Sequence, residues 1–336
     1  MTRLCMLLVV LVALFGCRGA ADDEEKNQCD ITPTGRVELP RDDGRHSDEP
    51  IEWWYWTGHL ETAEGRWFGF ELAIFAAELI PGQGSQMAHF AVTDIDGGTF
   101  HYDSQLSPEA ALAVENGFRF AVSPQTAVGG NGRDTLHGEV DDYVLDVSLE
   151  STKPAVLQHG DGYAEYDVGG YTYYYSRERM AATGTIGVAG QTFDVTGTAW
   201  FEHQWGELGQ VMNTGWDWFA LQLDGGTELM LYILRPKGGD VSLGGSFTDA
   251  DCQTTELGPE NLKVTSLGEW TSPDTDCTYP SGWTVEFGDQ SYTLTPVLED
   301  QELYDVAPAP KYWEGTATVG GDGTGRAYIE LVGYCD

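Results

Sequence analysis

Short runs rich in Val, Tyr, Trp, Phe and Thr alternate along this chain with turns made of Gly, Asp and Asn. Examples are RWFGFELAIF (66–75), YVLDVSLE (143–150), YTYYYS (171–176), ELMLYILR (228–235) and RAYIELVGY (326–334). Long helical periodicity is nearly absent. Strands of this length, separated by turn residues at this spacing, predict an all-β sandwich or barrel. The one helix expected covers residues 107–115, where Ser107 precedes Pro108 and Glu109 in an N-cap-like order. At 336 residues the chain is long enough for two domains with sizeable cores.

EWWYWTGHL (52–60) narrows the choice of architecture. On a strand, Trp53, Tyr55, Thr57 and His59 point one way, and Glu52, Trp54, Trp56 and Leu60 the other. Both faces are aromatic, so both need cover. One face can line a barrel, and a second barrel packed against the first covers the other. A faint internal echo agrees with this: Trp53–Glu61 can be laid over Trp216–Asp224, each an aromatic run that ends in an acid before a short Gly-containing turn. The boundary between the two β-domains is expected near residue 195.

The N-terminus, MTRLCMLLVVLVALFGC, has the layout of a signal peptide: basic Arg3, a short apolar run, then Gly16-Cys17. Residues 1–16 are expected to be removed, Cys17 lipidated, and residues 17–34 left as a flexible tether. This makes the chain an exported bacterial lipoprotein, periplasmic or at the cell surface, held at a membrane by its lipid. Cys29, Cys252, Cys277 and Cys335 remain, an even number in an oxidising compartment. Three pairings are possible; the expected one joins Cys252 to Cys277 as a local clip and Cys29 to Cys335 across the ends. No CxxC pair supports a zinc site. With 54 acidic and 17 basic residues, a formal charge of −37, nucleic acid and anionic headgroups are repelled.

Two further stretches carry candidate chemistry. AWFEHQWG (199–206) sets Glu202 and His203 among aromatics, where burial raises a carboxyl pKa and lowers an imidazole's. That suits a general acid or base, and equally a buried polar pair that pins a strand crossing. YTYYYSRER (171–179) puts Tyr171, Tyr173 and Tyr175 on one face and adds Arg179, which is expected to pair with a carboxylate. There is no G-x-S-x-G elbow, no H-E-x-x-H, no P-loop, no dinucleotide fingerprint and no EF-hand loop, so neither cofactor nor metal is expected. Glycoside cleavage needs only two placed carboxylates and stays open.

Taken in order, EWWYWTGHL, YYYSRERM, GTAWFEHQWG, GWDWFALQL, ELMLYILR and YWEGTATVGG…YIELVGY resemble the AttH-like and carotenoid 1,2-hydratase (hydroxyneurosporene synthase) family, over residues 35–334. The resemblance implies two tandem lipocalin-like (calycin) antiparallel barrels, here 35–195 and 196–336, and an apolar, isoprenoid- or lipid-like ligand. A His-x-Trp of the hydratase site falls on His203 and Trp205. The hydratases' Tyr-x-Asp acid has no counterpart in ELMLYI (228–233).

These readings combine into a hydratase-like scheme. An acid protonates a C=C bond, aromatic faces stabilise the cation, and oriented water adds. Glu202 or Asp217 would be the acid and His203 the base. The ligand-binding set would be Trp53, Trp54, Tyr55, Trp56, His59, Tyr175, Arg179, Trp205, Trp216, Trp218 and Tyr232. The rivals are a lipid-anchored carrier that holds the ligand without chemistry, and a carbohydrate-binding or glycoside-cleaving protein with an exposed aromatic platform.

Overall fold

The computed structural model describes residues 29, 31–80, 83–237, 239–306 and 308–335. In chain order the first barrel contains β1 (Ile51–Thr62), β2 (Trp67–Ile80), β3 (Gln83–Asp94), β4 (Thr99–Ser107), β5 (Phe118–Val122), β6 (Gln125–Gly130), β7 (Arg133–Val140) and β8 (Tyr143–Ser151). It continues with β9 (Val156–Leu157), β10 (Tyr163–Glu165), β11 (Tyr171–Val188) and β12 (Gln191–Glu207). The second contains β13 (Gly215–Leu223), β14 (Glu228–Arg235), β15 (Ser242–Thr248), β16 (Thr254–Leu257) and β17 (Leu262–Ser266), then the small β18–β19 hairpin (Glu269–Thr271, Thr278–Pro280). It closes with β20 (Trp283–Phe287), β21 (Gln290–Pro296), β22 (Glu302–Leu303), β23 (Tyr312–Gly321) and β24 (Gly325–Val332).

The fold is all-β, as expected: two nearly closed antiparallel barrel-shaped sheets of 10 and 9 strands. Sheet order is β4-β3-β2-β1-β12-β11-β8-β7-β6-β5 in one and β16-β15-β14-β13-β24-β23-β21-β20-β17 in the other. The sequence echo has a topological counterpart. In each barrel the echoing strand, β1 or β13, pairs with the strand that follows it and with the last strand of its own barrel.

Position 195, the expected boundary, lies inside β12, which stays paired to β1 and β11 as far as Gly206 and Glu207. The chain passes to the second sheet only between Glu207 and Gly215. No helix forms over 107–115: Ser107 ends β4, and the residues after it lack regular structure up to an isolated bridge between Val114 and Gly117. Leu112 is 65% exposed and only the small Ala111 packs against the first core, too little apolar contact to stabilise a short helix.

The strand alternation sorts the tryptophans. Trp54 and Trp56 are fully buried inside the first barrel, with ring centroids 4.5 Å from Phe120 and 5.3 Å from Phe118 respectively. Each such ring contributes on the order of 1.5–3 kcal/mol through area removed from water. Trp53 and Tyr55, one residue out of phase, face the second barrel and pack in a separate cluster with Trp200, Trp216, Trp218 and Met230.

The barrels are also joined by polar contacts. Lys153, almost fully buried, donates to Glu228 (2.7 Å) and to the carbonyls of Gly226 and Asp249, and Arg179 pairs with the same carboxylate. The disulfides differ from the expected pairing. They join Cys29 to Cys252 and Cys277 to Cys335, across Cα separations of 6.1 and 5.0 Å. Cys252 lies in the β15–β16 turn and Cys277 just before β19, so the local clip does not form; sheet packing brings distant segments to each instead. Cys17, residues 1–16 and most of the tether lie outside the described residues, which begin with 29 and 31–34.

Candidate functional site

A cavity opens between the two barrels, not within one. Its inner volume is about 110 Å³. From the first barrel it is lined by Trp53 and Tyr55 of β1, Glu71, Ala73 and Phe75 of β2, Tyr174 of β11, and Glu202 and Gln204 of β12. From the second come Trp216 and Trp218 of β13, Tyr232 and Leu234 of β14, Tyr312 and Glu314 of β23, and Glu330 of β24. His159, Tyr166, Val211 and Met212 complete it from loops. The register explains the composition. Trp53 faces Phe75 across β1–β2, Tyr55 faces Ala73 and Glu202, and Trp218 faces Tyr232 and Glu330. These outward-facing positions of the two sheets are turned toward each other.

Four carboxyls sit among these rings: Glu71, Glu202, Glu314 and Glu330, and the first three are at most 4% exposed. None is ion-paired among the described residues, and no described lining residue is Lys or Arg. Glu202 accepts hydrogen bonds from the Tyr174 hydroxyl, the Ser176 hydroxyl (2.9 Å) and Trp200 Nε1 (2.9 Å). Burial nevertheless pushes its pKa up to about 8, the three donors only partly offsetting the loss of water. Glu330 accepts from Trp216 Nε1 at 3.1 Å and is raised by burial to about 7. Glu314 accepts from the Tyr55 hydroxyl at 2.5 Å, its second oxygen unpartnered, and both oxygens of Glu71 are unpartnered. Burial and mutual repulsion with Glu330 hold Glu71 and Glu314 well above the usual carboxyl range. His159, at the rim, is lowered by burial to about 4 and is neutral. At neutral pH the cavity is therefore an apolar box in which Glu71, Glu202 and Glu314 are mainly protonated and Glu330 is close to its midpoint.

Of the residues singled out from the sequence, Trp53, Tyr55, Glu202, Trp216, Trp218 and Tyr232 line this cavity. Trp54, Trp56, Tyr175, His203 and Trp205 do not. They face the interior of the first barrel, as part of its core or against it. Glu202 and His203 are adjacent on β12 and so occupy opposite faces; they cannot act on one bond. His203 Nε2 donates to the Glu52 carboxylate at 2.8 Å, and the ring lies 4.5 Å from that of Trp54. Glu52 also accepts from Arg45 (2.9 Å) and is held by His46 (2.8 Å). Burial raises its pKa, but the hydrogen bonds with His203 and His46 outweigh that and lower it to about 2. His46, Glu52 and His203 do place ligand-type atoms within 4.8 Å of one another, but the carboxylate is already engaged by this network.

Asp217 points into the second barrel, where Arg235 (2.5 Å) and Tyr334 (2.9 Å) bind it. His59 lies at the barrel interface, 3.0 Å from the Thr316 hydroxyl, and Arg179 is committed to Glu228. The sequence reading missed Glu71, Glu314 and Glu330. Its available signal was a lone Glu at an outward position inside an apolar run: FELAIF, YWEGTA and YIELVG.

The AttH-like family model matches residues 30–334. Among solved structures, a candidate AttH from Nitrosomonas europaea is 30% identical, covering 90% of this chain and 100% of its own, with a TM-score of 0.81. Kievitone hydratase from Nectria haematococca shares the fold at 16% identity, covering 91% of this chain and 97% of its own, with a TM-score of 0.72. No curated protein matches the chain. With the family model spanning both barrels, the chain belongs to the AttH-like family.

Proposed function

We propose that this protein binds an apolar, isoprenoid- or lipid-like ligand between its barrels and that Glu202 protonates a C=C bond of it. The observation that carries this is a fully desolvated carboxyl, raised to about 8, that faces an aromatic cavity. Proton transfer from Glu202 leaves a tertiary carbocation on the ligand and a carboxylate on the protein. The faces of Trp53 and Trp218 stabilise the cation, by roughly 1–2 kcal/mol each when desolvated. Addition of water then returns one proton to Glu202 and yields the alcohol; attack by a second C=C bond of the ligand instead closes a ring and moves the positive charge to a new carbon, which loses a proton to the Glu202 carboxylate to leave a cyclic alkene. The fold shared with a protein named as a hydratase makes water addition the first outcome to test. The inner volume of about 110 Å³ fits a ring or a short branch, so a longer ligand would extend through the mouth. In this reading the exported chain is tethered to a membrane through lipid on Cys17, close to a source of such ligands.

The test is to incubate the protein with branched alkenes and prenylated aromatics in water labelled with heavy oxygen and to follow label in the product. Glu202→Gln is expected to lower turnover by about 10²–10⁴-fold, while Asp217→Asn keeps it. Full turnover in Glu202→Gln would remove the assignment. Tight binding of a terpenoid with no product in any form would leave the carrier reading.

A further inference from the structure

Proton donation needs one buried acid, and this cavity has four. Keeping a carboxyl away from water without a cationic partner is costly, so three additional ones call for a counterpart, and none lines the cavity among the described residues. Glu71 is the sharpest case: it is fully buried, faces the cavity, and neither oxygen has a hydrogen-bond donor. Glu314 repeats the pattern with its second oxygen. The walls between these acids are the rings of Trp53, Tyr55, Phe75, Trp216, Trp218 and Tyr232. Aromatic faces attract cations, and cages of this kind bind quaternary ammonium groups. The cavity's volume matches a trimethylammonium-sized group.

We propose that the space between the barrels is a cation cage that takes an alkylated ammonium group, with aromatic rings as walls and Glu71, Glu202, Glu314 and Glu330 as counter-charge. The inference uses the cavity of the reading above but requires no reaction. It also accounts for several acids around the point where that reading places a carbocation, since an ammonium ion carries the same charge. Because Glu71, with no donor on either oxygen, and Glu314 are protonated in the empty cavity, entry of a cation beside them displaces a proton from one of them into solution. Affinity for the cation therefore rises with pH, and affinity for a neutral molecule of the same shape does not.

The experiment compares two probes by titration calorimetry on the folded, signal-less protein: choline, and its neutral analogue in which a quaternary carbon replaces the nitrogen. Near about pH 8.5, choline is expected to bind about tenfold or more tightly than the analogue, with the preference shrinking to within about twofold near about pH 5.5. Near about pH 7.5, heats measured in buffers of different ionisation enthalpy should report release of about one proton per choline bound. Glu71→Gln and Glu330→Gln, which preserve shape, should each lower the choline preference and leave the analogue's affinity in place. Equal or tighter binding of the neutral analogue at the higher pH overturns the proposal, as does no choline binding up to about 10 mM. Hydration can fail in its own assay while the choline preference stands. Loss of the preference, in turn, leaves a neutral apolar ligand as the occupant.

Discussion

Glu202 and His203 show how much one residue of register decides. Both sit in AWFEHQWG, and both are buried. Strand pleating sends Glu202 into the cavity between the barrels and His203 into the first barrel, where it meets Glu52. The two groups then titrate in opposite directions. Burial raises Glu202, whereas its hydrogen bonds with His203 and His46 bring Glu52 down to about 2. For Glu52, ordinary value 4.5, folding favours the ionised form. Its contribution is complete above about 4.5 and is lost as pH falls toward about 2. Replacing Glu52 by Gln leaves the Arg45 guanidinium without its partner. The variant is expected to lose about 3 kcal/mol of stability near neutral pH, read from urea denaturation midpoints. Its deficit relative to the parent should shrink as pH is lowered below 4.5. An unchanged midpoint would show that the network is not a stabilising one.

At the scale of the element, β1 is the strand on which both barrels depend. Its even positions fill the first core and its odd positions meet the second barrel, which is why EWWYWTGHL is aromatic on both faces. Gly58 interrupts the aromatic run for a steric reason. A Cβ there would come within 2.4 Å of the Phe70 ring and 2.9 Å of the Thr198 carbonyl oxygen. Gly58→Ala is expected to cost about 1–3 kcal/mol through overpacking, measured by chemical denaturation. A neutral result would mean that Phe70 can turn aside. This double use of the strand could be read in advance, because alternation is a local property. The 107–115 segment could not, because whether a short apolar stretch becomes a helix depends on a surface it can pack against, and Leu112 finds none. The boundary was misplaced for a related reason: TGTAWFEHQWG looks like a new beginning but continues as β12, the last strand of the first barrel.

For the whole molecule, the cavity acids make stability depend on pH in the opposite direction to Glu52. Glu202 and Glu330 rise from an ordinary 4.5 to about 8 and about 7, and burial holds Glu71 and Glu314 well above 4.5 too. Folding therefore favours their protonated forms. The stability this provides is complete below about 4.5 and, for Glu330 and Glu202, is lost as pH rises through about 7 to 8. A thermal melt near about pH 8.5 should fall below one near about pH 5.5. In Glu71→Gln/Glu314→Gln the drop should be distinctly smaller, since amides do not ionise. Equal drops in parent and variant would mean that the two carboxyls do not resist ionisation in the folded protein. The formal charge of −37 also destabilises the compact state as pH rises, but the variant changes only two of those groups.

By itself the sequence determined the properties that repeat along a strand: all-β structure, two aromatic faces on β1, and an echo between β1 and β13 that places Trp53 and Tyr55 in phase with Trp216 and Trp218. These follow from the period of the pleat, a local constraint on every residue. Tertiary structure alone decided what meets what. Cys252 joins Cys29, not its neighbour in sequence, and Asp217 turns to Arg235 instead of the cavity. Glu71, Glu314 and Glu330 come from three strands, distant in the chain, to share one space with Glu202. A lone Glu in an apolar run looks the same whether it will face solvent, a cation or another acid. Only the packing of one barrel against the other removed its water and made it a candidate for chemistry.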